Sequence, residues 1–126
     1  MVIHGIGIDI VDIRKIKKII THSGDKLATR ILSKSEWKIY KNKKHPVHFL
    51  AKRFAAKEAV SKAFGTGISQ GVTFNQIEIF NDKLGKPMLH LFSCTALLAN
   101  KLSLKKMHIT LSDTNSYACA FVILER

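Results

Sequence analysis

The sequence has few of the residues that mark secreted, disordered or membrane proteins. It contains two cysteines, two prolines and seven glycines. No apolar run reaches the roughly 18 residues that cross a bilayer, and the opening residues lack the basic region and the cleavage site of a signal peptide. We therefore expect a folded cytoplasmic protein without a membrane span, in which Cys94 and Cys119 are buried, reduced thiols.

Acidic residues are also scarce. Nine Asp and Glu residues stand against 21 Lys and Arg residues, which gives a formal net charge of +12. A field of this sign attracts polyanions, among them nucleic acids, phosphorylated cofactors and acidic proteins. Aromatic residues make up only 8% of the chain, and no basic–aromatic strand motif of the RNA-recognition kind is present. The charge indicates an anionic partner without identifying it.

The chain has 126 residues, the length of one domain. We predict a single domain over residues 1–126. The hydrophobic patterns predict strands over residues 2–12, 74–81, 86–92, 107–112 and 117–124, and helices over residues 13–22, 25–32, 33–43, 46–64 and 94–102. This order predicts an α+β fold, with helices packed against a mostly antiparallel sheet.

The first strand carries a carboxylate among apolar residues. One face holds isoleucines and the other holds mixed residues: Ile6, Ile8 and Ile10 against Gly7, Asp9 and Val11. Burying a carboxylate is unfavourable by several kcal/mol unless it is paired or binds a metal. Asp9 is therefore either a site residue or a side chain that meets water on the alternate face, and this residue alone leaves both readings open.

Local signals define the helices that follow. Asp12 is placed to cap the first helix, whose remaining outward positions are basic: Arg14, Lys15, Lys17 and Lys18. Ser33 and Glu36 fit a capping box, and Pro46 suits the first turn of the long helix. The basic face is either simply solvated or binds an acidic partner.

The long helix contains a second carboxylate. Phe54, Glu58 and Lys62 recur at i, i+4 and i+8 and share one face, while alanines nearby allow close packing. Glu58 and Lys62 form either an ordinary surface pair, worth a few tenths of a kcal/mol, or part of a site. Mg²⁺ is commonly held by one or two carboxylates together with water and phosphate oxygens. Asp9 and Glu58 therefore raise the hypothesis of a metal–phosphate site.

Four segments occur in a distinctive order: Gly5–Val11, Arg53–Gly67, Asn81–Pro87 and His108–Asp113. Together they resemble the holo-acyl-carrier-protein synthases, the small class of 4′-phosphopantetheinyl transferases. The resemblance covers essentially the whole chain, and its most specific part is the pattern F-x-x-K-E-A-x-x-K-A that begins at Phe54.

The resemblance implies an activity and an assembly. Members of this family transfer the 4′-phosphopantetheine group from coenzyme A to a serine of apo acyl carrier protein and release 3′,5′-ADP, in support of fatty acid biosynthesis. The family's fold assembles as a homotrimer with active sites at subunit interfaces. The implied cofactor is Mg²⁺, and the implied partner is the acidic acyl carrier protein rather than a nucleic acid.

The resemblance also implies residue roles. Asp9 and Glu58 would hold Mg²⁺, and Lys62 would contact phosphate, so that these three form the catalytic set. Further contacts to coenzyme A would come from Arg53, Lys62, Gly65, Gly85, Lys86, Pro87, His108 and Thr110, and the carrier protein would dock on Arg14, Lys15, Lys17 and Lys18. The larger two-domain transferases carry a third acid two residues after the aspartate, and Val11 occupies that position here.

Three other functions compete with the transferase at this level. A nucleic-acid-binding module would explain the charge, a different metal-dependent phosphate enzyme such as a phosphatase would explain the carboxylates, and a purely structural oligomer would need neither. Asp9 inside the strand argues mildly against the last.

Overall fold

The structure, a computed structural model, describes all 126 residues. The elements follow in the order β1 (Ile3–Asp12), α1 (Ile13–Ser23), α2 (Lys26–Ile31), α3 (Lys34–Lys41), α4 (Pro46–Phe64), a 3₁₀ turn (Phe74–Gln76), β2 (Ile77–Asn81), β3 (Pro87–Leu91), α5 (Ser93–Lys101), β4 (Lys106–Asp113) and β5 (Tyr117–Glu125). The α+β prediction is confirmed. No helix is long and apolar enough to cross a membrane.

The strands pair antiparallel throughout, but they form two sheets rather than one. One sheet has the order β1-β5-β4, and the other is the β2-β3 hairpin. The predicted strand at 74–81 begins three residues too early, because Phe74–Gln76 form the 3₁₀ turn. In that turn the Gln76 side chain accepts hydrogen bonds from the backbone N and the hydroxyl of Thr95 and so fixes the start of α5.

Helix α4 lies at the centre of the fold. Its contacts with β1 and β5 are the most extensive of any helix, and α1, α2 and α3 pack on it as well. Twelve of its 19 residues are buried, distributed around the helix rather than along one stripe. The 25 buried hydrophobic residues of the chain form one cluster around it. Polar side chains on α4 therefore lie close to this core, and Lys62 is the only residue of the helix that is exposed.

Two glycines bring β1 unusually close to α4. A Cβ added at Gly5 would collide with the carbonyl oxygen of Ala63, and one at Gly7 would collide with the carbonyl oxygen of Ala59. Neither collision is relieved by moving a side chain, because both involve helix backbone. The strand face that carries Gly7, Asp9 and Val11 is therefore the face packed on the helix.

The opposite face of the three-stranded sheet is apolar and uncovered. Ile6, Ile8 and Ile10 are 60%, 57% and 65% exposed, and Phe121 of β5 is 36% exposed. Asp9, in contrast, has a side chain only 16% exposed. The reading in which Asp9 meets water on an outer face is wrong, because the isoleucines occupy that face.

The predicted helix signals act as expected. Asp12 accepts a hydrogen bond from the backbone N of Arg14, Ser33 and Glu36 form the capping box, and Pro46 is the first residue of α4. The expectation that both cysteines are buried is wrong: both are free thiols, but Cys94 is exposed and Cys119 is only partly buried. Cys94 lies in the first turn of α5, whose buried residues are Thr95 and Ala99.

Candidate active site

The contact between β1 and α4 brings together the three residues predicted to be catalytic. Lys62 Nζ lies 3.0 Å from Asp9 Oδ1 and donates a second hydrogen bond, also of 3.0 Å, to the carbonyl of Ile8. Glu58, one helical turn before Lys62, lines the same pocket as Asp9. The close approach permitted by Gly7 places a strand carboxylate beside a helix carboxylate.

The pocket between β1, α1 and α4 has a volume of about 360 Å³. Its polar lining consists of Asp9, Asp12, Lys15 and Glu58, and its apolar lining of Ile10, Val11, Ile16, Ile19 and Phe54. Val11 lines the pocket and is 8% exposed. It occupies the position of the third acid in the larger transferases, so its side chain supplies no oxygen ligand here. Of the three carboxylates in the lining, Asp12 is bound by Arg14, which leaves Asp9 and Glu58 as the candidate reactive groups.

The two carboxylates destabilise each other's charge. Burial raises the pKa of Glu58 above its usual value, and the negative charge of Asp9 raises it further. The ammonium of Lys62 opposes this change but does not cancel it. The site therefore favours an additional positive charge, either a proton on Glu58 or a bound cation.

A hard divalent cation fits these residues. Mg²⁺ prefers oxygen ligands and is usually held by one or two carboxylates, with water and phosphate oxygens in the remaining positions. No group of three or more His, Cys, Asp or Glu side chains is placed to hold a metal. Asp9 and Glu58 would therefore supply part of a coordination sphere that a phosphate substrate completes.

Arg53 lies outside this pocket, in a buried cluster on a neighbouring stripe of α4. It is 5% exposed, and its guanidinium carbon lies 4.5 Å from the centre of the Phe49 ring. Its Nε lies 3.4 Å from Glu36 Oε2 without forming a hydrogen bond, and it is buried without any other partner. Burial lowers the pKa of Arg53, which the charge of Glu36 opposes.

Glu36 and Lys57 complete that cluster, with 1% and 0% of their surface exposed. Lys57 Nζ donates to Glu36 Oε1 and, at 2.7 Å, to the carbonyl of Ile31. Glu36 also accepts from the backbone N of Ser33 and of Ile79, each at 2.9 Å. The capping box predicted one of these bonds; the ion pair was missed. The sequence contained one signal for this cluster: Lys57 follows Arg53 by four residues on a helix rich in alanine.

Arg53 borders a second pocket, of about 250 Å³, whose polar lining contains no carboxylate. That lining consists of Lys43, His45, His48, Lys52, Arg53 and Asn81. Two acids contact lining residues from outside the pocket: Glu36 Oε2 lies 3.4 Å from Arg53 Nε, and Asp113 pairs with His48 Nδ1 at 2.9 Å and lies 3.9 Å from Lys52 Nζ. Sequence reasoning identified only Arg53 of this basic pocket, because its other members come from a loop, a strand and the helix start.

The other residues predicted to contact coenzyme A lie elsewhere in the chain. Gly65 ends α4 with φ 86°, and Gly85 has φ 87° in the β2–β3 turn, both in the left-handed region that favours glycine. Lys86 donates its backbone N to Asp82 Oδ1 at 2.9 Å, and Pro87 begins β3. None of these residues lines the pocket of Asp9 and Glu58.

His108 and Thr110 lie on β4, which β5 separates from β1. Thr110 and Ile8 both pair with Phe121, whereas Asp9 pairs with Ala120. Because side chains alternate along a strand, Thr110 and His108 are on the exposed isoleucine face, opposite to Asp9. A single chain does not bring them to the carboxylates.

The predicted docking residues lie on the exposed side of α1, but they are not equivalent. The guanidinium of Arg14 binds Asp12 through two bonds of 2.9 and 3.0 Å, which lowers the pKa of Asp12. Lys15 lines the pocket of Asp9 and Glu58. Lys17 and Lys18 form no ion pair within the chain, so they are the freest cations of this face.

Residues 5–122 match the family model described as the 4′-phosphopantetheinyl transferase superfamily. The chain belongs to this superfamily. The match covers both carboxylates, the whole of α4 and all of β4, so it extends over every site residue named above. The family resemblance seen in the sequence is confirmed.

Named relatives agree with this assignment. The chain is 99% identical over 124 residues to the holo-[acyl-carrier-protein] synthase of Blochmanniella pennsylvanica (strain BPEN), covering 98% of this chain and 99% of that one. The crystal structure of the holo-[acyl-carrier-protein] synthase of Neisseria meningitidis is 38% identical, with a TM-score of 0.94 and coverage of 99% and 100%. That of Bacillus anthracis str. Ames, in complex with CoA (3′,5′-ADP), is 40% identical, with a TM-score of 0.82 and coverage of 97% and 96%.

Proposed function

We propose that this protein transfers the 4′-phosphopantetheine group of coenzyme A to a serine of apo acyl carrier protein, releases 3′,5′-ADP, and thereby supports fatty acid biosynthesis. The observation that carries the proposal is that Asp9 and Glu58 line one pocket and that the ammonium of Lys62 contacts Asp9. Relatives that share nearly the whole chain are holo-[acyl-carrier-protein] synthases. The 126 residues act as one transferase domain, which the single core cluster supports, and the free thiols favour a cytoplasmic setting.

Asp9 and Glu58 would hold Mg²⁺ at the pyrophosphate of coenzyme A. When bound, the metal ion offsets the negative charge of the phosphate oxygens. Lys62 is suited to the same task, since its side chain is 51% exposed and its only carboxylate partner is Asp9. Its ammonium is free to turn from Asp9 to a substrate phosphate.

In the reaction, the carrier-protein serine Oγ forms a bond to the pantetheine-side phosphorus as the bond from that phosphorus to the 3′,5′-ADP oxygen breaks. Such transition states are loose, so the enzyme mainly aligns oxygens and offsets charge. Lys62 supplies that offset from the protein. The serine proton leaves as the new bond forms, and Glu58 would accept it, directly or through a water molecule.

Arg53 and its basic pocket would take the 3′-phosphate of coenzyme A. The support is chemical: the pocket has lysine, histidine and arginine side chains in its lining and no carboxylate. A buried guanidinium with an unpartnered Nε is a donor that a phosphate oxygen can satisfy.

We further propose that the protein works as a homotrimer through its uncovered sheet face. Ile6, Ile8 and Ile10 form a contiguous exposed apolar strip of the kind that marks an interface. His108 and Thr110 share this face. Assembly would carry them, together with the Gly85–Pro87 turn, to the nucleotide bound by a neighbouring subunit.

The acidic carrier protein would dock on α1, beside the pocket of Asp9 and Glu58. Charge complementarity steers such encounters and makes them sensitive to salt. Reversing the charge at both free lysines, in the double variant Lys17→Glu with Lys18→Glu, is expected to raise the KM for the carrier protein at low salt. Lys101→Glu, on α5, is the matched control. An unchanged KM in the double variant would exclude this face.

The intact mass of the carrier protein tests the activity. Apo acyl carrier protein is incubated with this protein, coenzyme A and Mg²⁺, with EDTA and a carrier protein lacking the acceptor serine as controls. We expect the carrier protein to gain one phosphopantetheine only in the complete mixture. Release of inorganic phosphate without a mass gain would favour a phosphatase instead.

A further inference from the structure

The buried cluster of Glu36, Lys57 and Arg53 contains two cations and one carboxylate. All three residues are at least 95% buried. Buried ions are normally paired one to one, because an uncompensated charge is unfavourable in a low-dielectric interior. The cluster therefore holds one positive charge more than it holds negative charge, and the position of that excess can be read from its contacts.

Lys57 takes up the carboxylate. Its ammonium contacts Glu36 Oε1 directly, and Ile31 supplies a carbonyl. The other oxygen of Glu36 accepts the backbone N of Ile79 at 2.9 Å. Arg53 is left at 3.4 Å from that oxygen without a hydrogen bond. The positive charge without a full partner is the guanidinium.

The next carboxylate in the region does not correct this imbalance. Glu78 accepts hydrogen bonds from the hydroxyls of Ser33 and Ser35, at 2.6 and 2.9 Å, and borders a different pocket. It forms no ion pair with Arg53 or Lys57. The negative charge of Glu78 acts on Lys57, but Glu78 does not pair with the guanidinium of Arg53.

The guanidinium borders the basic pocket, where an anion would supply the missing charge. Phe49 fixes it from one side, with its ring centre 4.5 Å from the guanidinium carbon. Lys43 and Lys52 line the same pocket. The arrangement buries Arg53 against Phe49 and leaves Arg53 Nε without a hydrogen-bond partner.

We propose that Lys57 is a positioning residue for phosphate recognition: it occupies the carboxylate of Glu36 and so keeps the guanidinium of Arg53 available to a phosphate group in the basic pocket. The identity of that group as the 3′-phosphate of coenzyme A rests on the proposed function. Free phosphate has the same chemistry, and the experiment separates the two.

The test compares coenzyme A with 3′-dephospho-coenzyme A as substrates, using the ratio of their kcat/KM values. In Lys57→Met, Glu36 and Arg53 remain as a one-to-one pair, and the preference for coenzyme A is expected to fall about tenfold, the order of one charged hydrogen bond. Arg53→Gln is expected to lose the preference to the same extent. Lys101→Met controls for removal of a charge elsewhere and is expected to keep it.

Removing the carboxylate separates this role from a merely structural one. In Glu36→Gln no carboxylate competes for Arg53, so the preference for coenzyme A is expected to stay or increase. The double variant Lys57→Met with Glu36→Gln removes both the ammonium and the carboxylate, so nothing pairs with Arg53. It too is expected to keep the preference for coenzyme A. If Lys57 and Glu36 had only a structural role, every substitution of either residue would lower kcat/KM for both substrates to the same extent. That result would overturn the proposal.

A binding measurement makes the test independent of turnover. Inorganic phosphate is expected to raise the thermal unfolding midpoint of the wild-type protein and of the double variant, and to do so less in Lys57→Met. An equal effect of phosphate on all three proteins would refute the role of Lys57. If phosphate discriminates among them but the two substrates do not, the charge role stands and the assignment to the 3′-phosphate fails.

Discussion

Helix α4 carries two charged clusters with opposite compositions. On one stripe, Glu58 lines a pocket together with Asp9, and the half-exposed ammonium of Lys62 contacts Asp9. On the stripe one residue earlier, about 100° around the helix, Lys57 is hydrogen-bonded to the single buried carboxylate of Glu36, and Arg53 Nε lies 3.4 Å from it without a hydrogen bond. The first cluster has an excess of negative charge and the second an excess of positive charge.

The difference in burial suggests different tasks: the cluster of Asp9, Glu58 and Lys62, called here the open cluster, is suited to binding a ligand, and the buried cluster is suited to stabilising the fold. The open cluster borders a pocket, and its carboxylates have few protein partners. A bound cation can therefore replace the contact with Lys62 with only a small loss of stability. The buried cluster joins α2, α3, α4 and β2 through bonds to Ile31, Ser33, Lys57 and Ile79. Lys57 stabilises the fold through these bonds, and in the proposal above Arg53 is the member of the cluster that binds a ligand.

The largest expected effect is on turnover. Asp9→Ala and Glu58→Ala are each expected to lower kcat/KM for the carrier protein by about 100-fold or more, the usual loss when a major charge-stabilising group is removed. Because these carboxylates repel each other, the unfolding midpoint should not fall in Glu58→Gln. Near-normal turnover in either alanine variant would refute the assignment of the open cluster as the active site.

The second effect is on stability and concerns the buried cluster. Lys57→Met leaves buried Glu36 without its closest cation and is expected to lower the free energy of unfolding by about 3–5 kcal/mol. Lys62→Met removes a half-exposed pair and is expected to lower it by about 0–1 kcal/mol, while reducing turnover. Urea denaturation measures both. Equal losses in the two variants would remove the distinction between the clusters.

The third effect concerns the spacing of β1 and α4. Gly7→Ala places a Cβ against the carbonyl of Ala59 and is expected to destabilise the fold by about 1–3 kcal/mol. Gly5→Ala makes a similar collision farther from Asp9. We expect Gly7→Ala to raise the Mg²⁺ concentration for half-maximal activity more than Gly5→Ala does. The reverse order would mean that this contact does not position the carboxylates.

The smallest effect is on pH dependence. The pKa of Glu58 is raised by folding, so in the absence of metal its contribution to stability is present below the ordinary pKa of a glutamate and is lost as pH rises through the raised value. Mg²⁺ binding should strengthen over the same rise, because it requires the ionised carboxylate. Thermal unfolding with and without Mg²⁺ measures this, and Glu58→Gln should show neither change.

Local features of the fold could be predicted from the sequence. Asp12, Ser33 with Glu36, and Pro46 act within a few residues of their own position, so their patterns suffice. The resemblance to a family supplied Asp9 and Glu58 as partners. Alternation along β1 separated the isoleucines from Asp9 but could not say which face meets α4.

Long-range contacts could not be predicted. The contacts of Glu36 outside the capping box are to Lys57, which is 21 positions away, and to Ile79, which is 43 positions away. The basic pocket of Arg53 draws on separate segments in the same way. The exposed isoleucines carry the usual signature of a core, and only the topology of the sheet shows that nothing in the chain covers them.

Calorimetric titration of coenzyme A tests the central claim, that the two clusters bind opposite charges independently. The wild type, Glu58→Gln and Arg53→Gln are each titrated with coenzyme A and 3′-dephospho-coenzyme A, with and without Mg²⁺. We predict that Glu58→Gln loses the effect of Mg²⁺ and keeps the preference for the 3′-phosphate, and that Arg53→Gln does the converse. Loss of both properties in one variant, or of neither in both, would contradict the account.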